Sequence, residues 1–116
     1  LEKAVVFCLP GGPPSNEMAF LQIALPGLLH MAGVSAGPFR SQMACLTQTV
    51  SGHEDWTQFL HARLFEEKGQ CFVTPLKKAS RLQSQADATA LIEIPEGTET
   101  IAAHENISVQ CLLQPL

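Results

Sequence analysis

Apolar and polar residues change rhythm twice along this chain, and each change marks a new kind of element. An unbroken apolar run, Ala4-Val5-Val6-Phe7-Cys8, reads as a short buried strand, β-branched at its centre. A loop rich in glycine and proline, from Leu9 to Pro14, stops it. Beyond the loop, Met18, Leu21, Leu25, Leu28 and Leu29 recur at helical spacing, and Phe20, Ile23 and Ala24 widen the apolar face. Ser15 or Asn16 is placed to cap this helix, with Glu17 in its first turn, where negative charge suits the helix dipole. Pro26 is expected to kink or restart the helix, and Gly33 to end it.

A connector over residues 34–41 separates this lead-in from a strand-like pattern. Met43 to Val50 is strand-prone and turns at Ser51-Gly52. Trp56 to Phe65 and Gln70 to Thr74 read as a hairpin around Glu66-Glu67-Lys68-Gly69. The small, polar stretch Ser80 to Ala90 holds at most a short helical turn. Leu91 to Ile94, closed by Pro95-Glu96-Gly97, and the alternating Ile107 to Leu113 supply the last strands. The expected architecture is mainly β with a helical lead-in: a strand-loop-helix over residues 1–38, then a small antiparallel β-clip or barrel-like domain over residues 39–116.

Composition narrows the classes of function. The chain has 116 residues, 46% hydrophobic and 16% charged, which is a globular composition and not a disordered one. A net charge of -4 argues against nucleic acid and anionic membrane as partners, since both call for basic surface. The nearest thing to a basic grouping is Lys77, Lys78 and Arg81. No apolar run is long enough to span a membrane, and no secretory signal pattern is present. Cys8, Cys45, Cys71 and Cys111 form no C-x-x-C pair and match no zinc spacing, so they read as reduced, mostly buried thiols of a cytoplasmic protein. The apolar run starts almost at Leu1, so the chain reads as the C-terminal piece of a longer protein.

The loop carries the most pointed chemistry. A glycine-rich turn leading into a helix lets backbone N–H groups approach an anion that the helix N-terminus also attracts. The loop has neither the spacing nor the lysine of a Walker A motif, and it is not G-x-G-x-x-G. On spacing alone it reads as a rigid connector. His30 reads as a surface residue, His53-Glu54-Asp55 as a solvated loop and not a metal site, and His61 with Arg63 as one solvated strand face. Trp56 reads as a core or domain-interface residue.

The order of elements in "VVFCLPGGPPSNEMAFLQIALPGLLHMAGV" resembles the end of the molybdopterin-binding domain in the molybdopterin molybdenumtransferase family (MoeA, with gephyrin as its animal relative). That family runs from a strand through Leu-Pro-Gly-Asn-Pro-Val-Ser into a helix with an internal proline. Leu9, Pro10, Gly11, Pro13 and Ser15 fall on the motif, while Gly12 replaces its Asn and Pro14 its Val. Downstream, "DWTQFLHARLFEEKGQCFVTPL", "ALIEIPEG" and "ENISVQCLL" resemble the family's C-terminal β domain, with His61 in place of a common Arg and His104 in place of a common Gly. The resemblance implies a part in molybdenum cofactor biosynthesis, by insertion of molybdate into adenylylated molybdopterin with Mg²⁺ as cofactor. It implies that Pro10, Gly11, Gly12, Pro13 and Ser15 hold molybdopterin or its adenylylated form, that the protein is a homodimer, and that its metal-handling carboxylates lie upstream. It assigns this chain no catalytic residue. A non-enzymatic molybdopterin carrier and a gephyrin-like interaction scaffold are the alternatives.

Overall fold

A computed structural model of the chain describes residues 3–77 and 81–112, without the side chains of Pro14 and Arg81. The chain divides into two compact units, Leu1–Pro38 and Phe39–Leu116.

The first unit is built on three consecutive helical segments: α1 (Pro13–Ala19), a π-helical turn (Phe20–Ala24) and α2 (Leu25–Met31). Pro26 accounts for the widened turn. It has no N–H to give to the carbonyl four residues back, and its ring crowds that carbonyl. The turn ahead of it opens, with the Leu25 N–H reaching back five residues to the Phe20 carbonyl, and the helix continues past the proline. At the far end, Gly33 takes φ +86° and closes a Schellman motif, with Val34 N–H on Leu29 O at 2.9 Å and Gly33 N–H on His30 O at 3.0 Å. Gly27 leaves room on α2 for Phe7: a Cβ there would lie 3.0 Å from the Phe7 ring.

Two local expectations are corrected in this unit. Residues 4–8 form no strand, and Val5 and Val6 are 63% and 78% exposed. A strand needs a neighbour for its backbone groups, and among the described residues none pairs with this run. The helix is capped by Gly12, with no side-chain cap, so neither Ser15 nor Asn16 holds that place and Glu17 lies beyond the first turn.

The second unit is a closed barrel of five strands in the order β1 (Arg40–Leu46), β4 (Gln70–Pro75), β3 (Gln58–Glu67), β5 (Ala90–Ile94) and β7 (Asn106–Cys111). β2 (Val50–Ser51) and β6 (Thr100–Ile101) form a separate ribbon, and α3 (Arg81–Asp87) packs on β3. Neighbouring barrel strands are antiparallel except at one seam, where β1 meets β4 in parallel through Cys45↔Phe72 and Leu46↔Val73. The predicted strand over 43–50 is thus split: its first part is β1 and its end is β2.

Alternation along these strands turns Ala44, Leu46, Ala62, Val73, Ala90, Ile92, Ile94 and Val109 into one core, joined by Val50 from the ribbon. The three alanines and three valines in that set suit the narrow interior of a small barrel. The β3–β4 hairpin turns on two residues, Lys68 and Gly69, both at positive φ, as a type I′ turn requires. Phe65 and Phe72 stack across the two strands with ring centres 5.4 Å apart.

Near the seam, His104 N–H bonds Leu46 O at 2.6 Å and Leu46 N–H bonds Glu105 O at 2.9 Å. His104 sits at φ +74°, a conformation that costs a side-chain-bearing residue strain. Gly52 is hemmed in: a Cβ there would strike the Thr98 carbonyl oxygen and Ile94 Cγ2. Urea unfolding followed by circular dichroism is expected to show opposite effects at these two sites. Gly52→Ala should lose about 1–3 kcal/mol, because a backbone carbonyl cannot move aside as a side chain can. His104→Gly should gain about 0.5–1 kcal/mol, the relieved strain less the entropy cost of glycine.

Candidate substrate-binding loop

The loop and the start of α1 place Pro10, Gly11, Gly12, Pro13 and Ser15 consecutively on exposed surface. Gly12, at φ -72° and ψ 135°, is the N-cap, and Pro13 and Pro14 open the helix. Prolines cost nothing there, since first-turn N–H groups have no partner inside the helix. They also thin the set of donors. Around the helix entrance the N–H groups left to face a ligand are those of Gly11, Gly12 and Ser15, beside the Ser15 hydroxyl. Asn16 ties the loop down: its backbone N–H bonds Gly12 O at 2.8 Å and its side-chain Nδ2 donates to Pro10 O at 3.0 Å.

Neither glycine is required by the chain itself. Gly11 and Gly12 both lie outside the left-handed region, and a Cβ built on either would meet no atom within 4 Å.

The other candidates are scattered. His30 is an exposed residue on α2. His61 and Arg63 share a face of β3, and Arg63 Nη1 donates to Asp87 O at 3.5 Å, at the C-terminal end of α3. Lys77 is exposed, whereas Lys78 and the Arg81 side chain lie outside what is described, so the basic grouping cannot be assembled from them. Among the described residues no three His, Cys, Asp or Glu side chains come together as metal ligands. Trp56 is not in the core: it is 54% exposed, and its indole stacks on the His53 ring at 3.5 Å and 6°. Pattern reading missed this stack because it assigned the residue by size. The charged neighbours Glu54 and Asp55, which mark a solvated loop, were the available signal.

All four cysteines are free. Cys8 is exposed, and Cys45 and Cys111 are buried. Cys71 and Cys111 flank the Gln42 amide, which donates from Nε2 to Cys71 Sγ at 3.1 Å and accepts from Cys111 Sγ at 3.8 Å on Oε1. Burial pushes the Cys71 thiol up from its ordinary 9.0, Glu66 and Cys111 add to the shift, and the Gln42 bond opposes it. That direction disfavours the thiolate form of Cys71.

A small closed β barrel preceded by a proline-bearing helix defines the class. The chain belongs to the family of the MoeA C-terminal region (domain IV), whose model matches residues 43–112. A crystal structure of the moeA molybdopterin biosynthesis protein from Pyrococcus horikoshii is similar with a TM-score of 0.72 and 28% identity, over 91% of this chain and 26% of that one. A second structure of that protein has a TM-score of 0.72 and 22% identity, over 87% of this chain and 26% of that one. A molybdenum cofactor biosynthesis protein from Pyrococcus furiosus has a TM-score of 0.72 and 20% identity, over 87% of this chain and 36% of that one. At the lower two identities the likeness is one of fold alone. The chain spans about a quarter to a third of the length of these proteins. No curated protein sequence matches it.

Thiol chemistry gives a direct check on this arrangement. In the native chain at pH 7, Cys8 should react with a thiol reagent at once and the other three slowly, while unfolding without reductant should release four. Since the folded chain holds its Cys71 proton more tightly than the unfolded chain, the stability this confers is complete below the ordinary thiol value. It is lost as the pH rises through the range above 9.0, and Cys71→Ala should flatten that decline.

Proposed function

We propose that this chain is part of a molybdopterin molybdenumtransferase-like protein of molybdenum cofactor biosynthesis, and that the loop from Pro10 to Ser15 forms one wall of its substrate site. The observation that carries the proposal is that Gly11 and Gly12 are small where the chain has no need of small residues. Their lack of side chains makes sense if a ligand occupies the space, and a phosphate of molybdopterin or of its adenylylated form suits the Gly11, Gly12 and Ser15 donors. Family membership over residues 43–112 and the 28% identity to the moeA protein support the same reading.

Within this division of labour the chain binds and orients substrate, and molybdate is the second substrate. Mg²⁺ does not fit the described residues, which gather no metal-ligating group, so no step is routed through it here. The catalytic carboxylates belong to the remainder of the longer protein. The free thiols favour a reducing, cytoplasmic setting. Val5, Val6, Ile23 and Met31 are more than half exposed, which favours a homodimer and is also the feature that a gephyrin-like scaffold would use.

Gly12→Val in the longer protein tests the loop. The expected result is molybdopterin affinity reduced about tenfold, equivalent to about 1.4 kcal/mol. The melting midpoint should fall by no more than the loss of a glycine N-cap entails, about 0.5–1 kcal/mol, because Gly12 has ordinary φ and open space around it. A lower midpoint with unchanged affinity would identify the loop as a connector.

A further inference from the structure

The charges of the barrel unit are unevenly placed. Residues 41–62 and 82–116 contain no lysine or arginine. Those two stretches pair along β1–β7, β3–β5 and β2–β6, and beyond the strands loop 52–57 is bonded to the turn after β5. Gly52 N–H bonds Glu99 O at 2.8 Å, Gly97 N–H bonds Glu54 O at 3.0 Å, and Glu96 N–H bonds Thr57 Oγ1 at 3.3 Å. The contacts set four exposed carboxylates, Glu54, Asp55, Glu96 and Glu99, on two adjoining loops.

The only tryptophan of the chain, Trp56, lies on the first of these loops. Its partner ring is held in place, because His53 Nδ1 accepts the Asp55 backbone N–H at 3.0 Å. With that nitrogen accepting, the 3.9 Å approach of the Asp55 carboxylate to it is no salt bridge. The stacked pair is thus an ordered aromatic surface, with one indole face covered by His53 and the exposed Glu54 and Asp55 next to it in the chain. Exposed tryptophans held rigid in this way are the residues that dominate protein interfaces.

We propose that the Trp56–His53 platform is a docking surface for a cationic peptide segment, an arginine side chain lying against the indole while Glu54, Asp55, Glu96 and Glu99 bind neighbouring cations. Charge selects this occupant. Nucleic acid and anionic lipid would meet carboxylates of their own sign. A second copy using the same face would bring these four carboxylates against their equivalents. Arginine suits the site best, since its planar guanidinium both stacks on an aromatic ring and binds a carboxylate through paired N–H groups. This surface is independent of the loop at Pro10 to Ser15 and does not rest on its assignment.

Trp56 is also the reporter, as no other tryptophan contributes to emission. Titrating the chain with hexa-arginine should change Trp56 fluorescence saturably, and hexa-glutamate should not. By calorimetry, Trp56→Leu and the double variant Glu54→Gln/Glu96→Gln should each weaken hexa-arginine binding about tenfold, while urea melts report that both still fold. Three results would overturn the proposal. Hexa-arginine could leave emission unchanged. Trp56→Leu could bind as tightly as the parent, which marks general attraction between polyelectrolytes. Acrylamide could fail to quench Trp56, which means that another segment or a second copy already covers the platform.

Discussion

The barrel depends on one strand having two partners. β1 runs antiparallel to β7 over six residue pairs and then, at Cys45 and Leu46, meets β4 in parallel. Without that short parallel contact the five strands would be an open sheet with β1 and β4 as bare edges. The seam is reinforced just beyond its end, where Thr47 N–H bonds Val73 O at 3.0 Å and the Thr47 and Thr74 hydroxyls lie 2.8 Å apart. Closure also lets a short chain bury Leu46, Val73 and Val109 almost completely, which flat packing of so few strands would not achieve.

Much of this was legible from residues. Strand-like runs bounded by turn residues identified β3, β4 and β5, alternation identified β7, and the hairpin was placed around Glu66-Glu67-Lys68-Gly69. What pattern could not supply was partnership. Residues 4–8 have the composition of a strand, yet composition does not provide a neighbour. The Met43 to Val50 run looked continuous because nothing in it shows that the chain leaves the barrel after Leu46 to form the ribbon. Pro26 was read as a kink or a restart, and a second short segment, α2, does begin beside it; the widened turn that precedes it depends on backbone geometry and leaves no mark in residue type.

The substrate loop was legible in a different way. Its glycines and prolines stood out by identity, and resemblance to a family gave them a meaning that spacing did not. The structure adds a reason internal to the chain: both glycines have ordinary dihedral angles and open space around them, and only Gly12 has a local task, as the N-cap of α1. Trp56 shows the opposite case. It was read as a core or domain-interface residue, yet it is exposed on a loop whose Glu54 carbonyl and Thr57 hydroxyl accept bonds from the Gly97 and Glu96 N–H groups of the neighbouring turn.

Strand closure has a bearing on how this protein can fail as well as on how it folds. Exposed strand edges are the templates on which chains polymerise edge to edge. Here the strands of the β unit are spent on one another, and β2 and β6, at two residues each, are too short to recruit a neighbour. Apolar side chains stand open in both units instead, Val5, Val6, Ile23 and Met31 in the first and Met43 and Leu82 in the second. Ordered fibrils growing from the β unit are therefore disfavoured by the very seam that completes the barrel.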